Sequence, residues 1–164
     1  MQNPKATNFR GSRGEAIFLV KVMDFCGLSL PYFDAHFMGD KFPTFDYIVN
    51  VVDVNNVSAL FFAQVKTSSG KYETWSDGKS YLWVSVSKED LNAMYEYPGP
   101  AYLIGVDDAL NKAFLMAVGS PITRGFSAMP TNHEPDCATL LQLRDEVNSY
   151  WNQGSVSLKS RFSR

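Results

Sequence analysis

Cysteine and histidine are scarce in this chain, two of each among 164 residues. Cys26 and Cys137 lie far apart, in segments that read as helices, and their spacing matches neither a metal knuckle nor a disulfide framework, so two buried thiols are expected. His36, in a short aromatic stretch, and His133, between prolines, lack ligand spacing and read as structural histidines. No run of eighteen apolar residues occurs, and Met1 to Arg10 has no apolar signal core. Neither a membrane span nor export is therefore expected, and the chain reads as cytoplasmic. A nucleophile elbow, a phosphate-cradling glycine loop, internal repeats and low-complexity tracts are also missing. Charge of one sign is lacking too: the net value is −2, which argues against a protein that coats nucleic acid non-specifically.

What is present suits one globular domain, with 45% of residues hydrophobic in a chain long enough for a sizeable core. Charge is unevenly spread. Lys5, Arg10 and Arg13 stand in an acid-free beginning, Lys159, Arg161 and Arg164 in an acid-free end, and acids gather between Glu73 and Asp108. Either one basic side on the folded molecule or two solvated tails would result.

A helix is expected over 13–26, with Ser12 as its cap, Glu15 three residues on completing a capping box, and Gly27 ending it. A short strand over 31–37 precedes the Gly39-Asp40 turn. Residues 44–53 and 60–67 then form two strands of an antiparallel hairpin around Val54-Asn55-Asn56-Val57. The polar segment 68–79 reads as an exposed loop. A strand over 81–86, a helix from Ser87 to about Tyr95 stopped by Pro98-Gly99-Pro100, strands over 101–106 and 112–118, and a last helix over 135–151 complete the layout. This helix, three-strand meander, strand-helix-strand order is α/β, a mixed sheet with flanking helices. The apolar stripe Leu140, Leu141, Leu143, Val147 and Trp151 of the last helix fits the core, or a surface for a homodimer or partner protein.

One stretch departs from pure core chemistry. Leu60-Phe61-Phe62-Ala63-Gln64-Val65-Lys66-Thr67 is an apolar strand ending in an amide and an ammonium two residues apart, hence on one face. Such groups are seldom buried without partners, so the strand is expected to enter a cleft where an acid faces it. Asp46 is the candidate. A three-residue hairpin loop sets it opposite Gln64 or Lys66 on their face, a two-residue loop opposite Val65; the former is expected. Asp40 and Asp53 are alternative acids. The aromatics Tyr72, Trp75, Tyr81 and Trp83 lie beside this cleft and suit either base stacking or core packing.

With Asp46 before one strand and Gln64-Val65-Lys66 on the next, the chain resembles the PD-(D/E)XK nuclease superfamily. It is similar to the branch whose second motif is Gln-x-Lys, which includes restriction-like enzymes and a family of prokaryotic defence loci. The likeness spans roughly residues 12–118, including Arg13-Gly14-Glu15 and Pro100-Ala101-Tyr102-Leu103-Ile104-Gly105-Val106-Asp107. Phe45 stands where the family name has Pro, and Gln64 where it has an acid. The resemblance implies a restriction-endonuclease-like fold and a single nuclease-like domain over 13–152, between a polar leader at 1–12 and a basic tail at 153–164. It also implies a Mg²⁺- or Mn²⁺-dependent endonuclease acting on DNA, with a role in defence against foreign DNA. Asp46, Gln64, Lys66 and Glu15 would be its catalytic residues, and Asp46, Gln64, Glu15 and the Val65 carbonyl its metal ligands. A catalytically inactive binding module of the same fold is the alternative.

Overall fold

In the computed structural model, which describes residues 4–52, 59–121, 123–154 and 160–163, helix α1 (Pro4–Val22) leads into strands β1 (Phe33–Phe37), β2 (Tyr47–Val51) and β3 (Leu60–Ser68). Strands β4 (Tyr72–Thr74) and β5 (Ser80–Val86) follow, then helix α2 (Lys88–Glu96), strands β6 (Ala101–Asp107), β7 (Lys112–Ala117) and β8 (Phe126–Pro130), and helix α3 (Cys137–Asn152). The first three strands pair antiparallel, β6 runs parallel to β3, and β7 closes a mixed five-stranded sheet of order β1-β2-β3-β6-β7. A parallel neighbour requires a long crossover. Here β4, β5 and α2 fill it, and β4 and β5 join β8 in a second, antiparallel sheet.

Alternation along β3 explains how the layers stack. Phe61 and Ala63 enter a core with Phe18 and Val22 of α1 and Leu140, Leu143 and Val147 of α3. Phe62 enters the opposite core with Leu82 and Val84 of β5, Leu91 and Met94 of α2, and Met129 of β8. A central strand covered on both faces reads as the near-continuous apolar run that this one is, each large side chain contributing about 1.5–3 kcal/mol on burial. The helix α2 begins as expected, the Ser87 side chain accepting from the Asp90 N–H at 3.0 Å. Asp136 likewise caps α3 through the Thr139 N–H at 2.8 Å.

Several expectations are overturned. The first helix begins earlier than residue 13: α1 starts at Pro4, so Ser12 sits inside the helix and the capping box with Glu15 does not exist. Two arginines of α1 meet the turn between β6 and β7. Arg13 donates to the Asp108 carbonyl (3.2 Å) and the Asn111 side chain (2.9 Å), and Arg10 lies 3.7 Å from the Asp108 carboxylate. The helix also ends earlier, at Val22. Cys26 is outside it, and instead of two buried thiols Cys26 and Cys137 form a disulfide, their Cα atoms 5.5 Å apart. The loop expected over 68–79 contains β4, and β8 was not foreseen. The described end of the basic tail is docked: Phe162 is 1% exposed against Tyr102 and His133, and its carbonyl accepts from the Ala117 N–H at 2.9 Å. Leu140, Leu143 and Val147 are buried in the core, so most of the last helix's apolar stripe is not a surface for a partner. The turn Val54-Asn55-Asn56-Val57, Asp53, Lys159 and Arg164 lie outside the described residues. Among the described residues no helix is long and apolar enough to cross a membrane.

Candidate functional site

The register of β2 on β3 decides where Asp46 stands. Tyr47 pairs with Ala63 and the Asp46 N–H donates to the Ala63 carbonyl at 3.0 Å, so continuing the ladder by one step sets Asp46 beside Gln64. Its own carbonyl accepts from the Met38 N–H at 2.8 Å, which fixes the main chain from both sides. The side chain is fixed as well: Asp46 Oδ2 accepts from the Val65 N–H at 2.6 Å. Burial pushes the Asp46 carboxyl above its usual value, opposed by the Val65 hydrogen bond and the Lys66 charge. Asp46 therefore sits within electrostatic reach of Lys66, in the pairing that the three-residue-loop register anticipated.

Gln64 is 7% exposed, and its Oε1 is buried with no hydrogen-bond donor among the described residues. Strand alternation puts it on the face of Phe62, with Lys66 two residues on. An amide oxygen left unmatched costs about 1–3 kcal/mol. Nothing in apolar packing explains why this strand position is not a hydrocarbon.

Glu15 arrives from α1 over the other layer. The Tyr47 hydroxyl donates to its Oε2 at 3.5 Å, and burial, then the Asp46 and Asp40 charges, raise its pKa. Tyr47 is pushed up to about 12 by burial and by the same two acids, Glu15 and Asp46. Its hydroxyl thus keeps its proton at neutral pH and holds Glu15 in place. Asp40 is exposed and acts on Glu15 only through its charge.

Glu15, Val65 and Lys66 line a cleft of about 820 Å³, which is also walled by Arg10, Lys71 and Trp83; Asp46 and Gln64 are not among its lining residues. Sequence reasoning missed Arg10 because it was placed in a leader, and Lys71 because β4 was read as loop. The aromatic cluster divides: Tyr81 is buried and stacks on Trp75, whereas Trp83 is outward. Among the described residues, Asp24 with Cys26 and Cys137 is the grouping of three acidic, thiol or imidazole ligand atoms within 4.8 Å of one another. Its two sulfurs are bonded together and offer no thiolates. His36 is exposed beside Asp34 (3.0 Å), and His133 packs on Phe162.

Comparison with protein-family models, with curated proteins and with solved structures finds no match for this chain.

Proposed function

We propose that Asp46, Gln64, Lys66 and Glu15 form the site of a metal-dependent endonuclease that hydrolyses phosphodiester bonds of DNA. The reading is supported above all by the buried, donor-less Gln64 Oε1 next in register to a fixed carboxylate. A cation is the electropositive partner such an oxygen calls for. The donor set fits a hard ion: two carboxylates, one amide oxygen and the Val65 carbonyl are oxygen ligands of the kind Mg²⁺ and Mn²⁺ prefer. When bound, the ion polarises the phosphate and acidifies a water. The chain's own groups do the rest. Lys66 orients the attacking water and offsets charge gathering on the phosphorane oxygens, and the Val65 N–H holds Asp46 in one orientation. Tyr47 does the same for Glu15. The antiparallel β1-β2-β3 meander with β6 parallel to β3 after an intervening helix is the strand arrangement that supports a restriction-endonuclease-like reading.

The direct test is nicking or linearisation of plasmid with Mg²⁺ or Mn²⁺ against an EDTA control. Asp46→Asn, which keeps an acceptor for the Val65 N–H, and Lys66→Ala are each expected to lower the rate about 100-fold or more. Purified, folded protein that cuts neither DNA nor RNA under any of these metals would defeat the reading. A second reading, an inactive binding module of the same fold, is favoured by one observation: an Asp46 oxygen is already engaged by Val65. Calorimetry with Mn²⁺ separates the two, since the working site binds in an Asp46-dependent way and the relic does not bind.

A further inference from the structure

Trp83 occupies the middle of β5 between the buried Leu82 and Val84, yet 42% of it is exposed. It faces the same cleft as Lys66 and Glu15. Lys71 Nζ lies 4.8 Å from the centre of its ring, and the Trp83 N–H donates to the Lys71 carbonyl at 2.8 Å, so main chain and side chain hold the two residues together. Across the cleft, α1 contributes Arg10. Among the described residues, three cations and the one acid Glu15 thus line a space of about 820 Å³, a size that encloses a nucleotide-sized ligand. An exposed indole inside a cationic cleft is the pairing that single-stranded nucleic acids use, since every base has a face to stack and every nucleotide a phosphate to neutralise.

We propose that this cleft binds unpaired, single-stranded DNA, one base stacked on Trp83 and the flanking phosphates on Lys71, Arg10 and Lys66; the choice of DNA rests on the hydrolase reading above. A duplex does not satisfy the site. Its base faces are already stacked on one another, so the indole would gain nothing without extruding a base. The low net charge of −2 fits as well, because attraction comes from three local cations and a stacking surface instead of a broad basic face. Arg10 is available to a phosphate: its ion pair with Asp108 is solvent-exposed on the arginine side (51%) and long at 3.7 Å, and such pairs are weak.

Fluorescence anisotropy in EDTA, where nothing is cut, tests the proposal with a labelled oligothymidylate of about a dozen nucleotides and a duplex of the same length. The single strand is expected to bind at least about ten-fold tighter than the duplex and to quench tryptophan emission. Its logarithmic salt slope should be about −2, from roughly 0.7 per neutralised phosphate. Trp83→Leu should weaken binding about ten-fold or more, Trp83→Phe should restore most of it, and Lys71→Gln should flatten the slope by about 0.7. Equal or tighter binding of duplex, or Trp83→Leu binding like the wild type while melting like it, would overturn the proposal. The hydrolase reading fails separately: there, binding of the single strand persists, yet neither that strand nor plasmid is cut once Mg²⁺ or Mn²⁺ replaces EDTA.

Discussion

Asp46 and Glu15 carry ionisation and position at once. Burial raises both carboxyls above their ordinary values of 3.8 and 4.5, so the folded protein holds these protons more tightly than the unfolded chain does. Their contribution is therefore most favourable below those ordinary values, and stability falls as pH rises through the raised folded ones. A divalent ion needs the ionised forms and competes with the same protons. Mn²⁺ is accordingly expected to raise the melting temperature more at pH 7.5 than at pH 5, by up to about 2.7 kcal/mol of stability at a hundred-fold excess over its Kd. Asp46→Asn should erase the effect at both values. In Lys66→Met the charge that lowers the Asp46 pKa is gone, so the acid limb of this Mn²⁺ effect should move to higher pH. A Mn²⁺ shift that ignores pH or Asp46 would place the ion elsewhere on the molecule.

Between elements, small contacts decide how α1 meets the sheet. Gly14 is buried there because a Cβ would collide with the Thr67 hydroxyl, so a residue that is unfavourable in a helix is what lets α1 approach β3 and present Glu15. The other end of α1 leads to Cys26, whose disulfide to Cys137 ties the α1–β1 connection to the first turn of α3 across 111 residues of sequence. Closing so long a loop restricts the unfolded chain and contributes about 2–4 kcal/mol. Cys137 is exposed, hence open to reductant. Dithiothreitol is expected to lower the melting temperature by roughly 5–10 °C, Cys137→Ser to do the same, and the variant to ignore the reductant. A reducing cytoplasm opens such bonds, so the compartment in which the chain resides sets how much of this stability operates. An unchanged melting curve under reduction would show that the bond merely decorates two already fixed segments.

For the molecule as a whole, the chain's end completes the helical-face core. Phe162 packs on Tyr102, whose hydroxyl donates to the buried Glu146 at 2.6 Å, and Glu146 in turn accepts from the Arg161 N–H at 2.8 Å. Phe162→Ala should cost about 3 kcal/mol in chemical denaturation while leaving plasmid cleavage intact under stabilising conditions. A cost under about 0.5 kcal/mol would show the segment to be a surface attachment. This docking illustrates the division between what local sequence carries and what it does not. Apolar period, caps and turn residues were enough for α2, α3 and the strands β1, β2, β3, β5, β6 and β7. Strand alternation and hairpin register, local rules with few solutions, narrowed the neighbours of Asp46 to two choices, and the fold took the one beside Gln64. Long-range encounters were out of reach: Arg13 met the β6–β7 turn, Cys26 found Cys137, and β8 gave β5 its second neighbour. Such contacts join residues whose individual propensities are weak, and only the assembled layers supply the energy that makes them form.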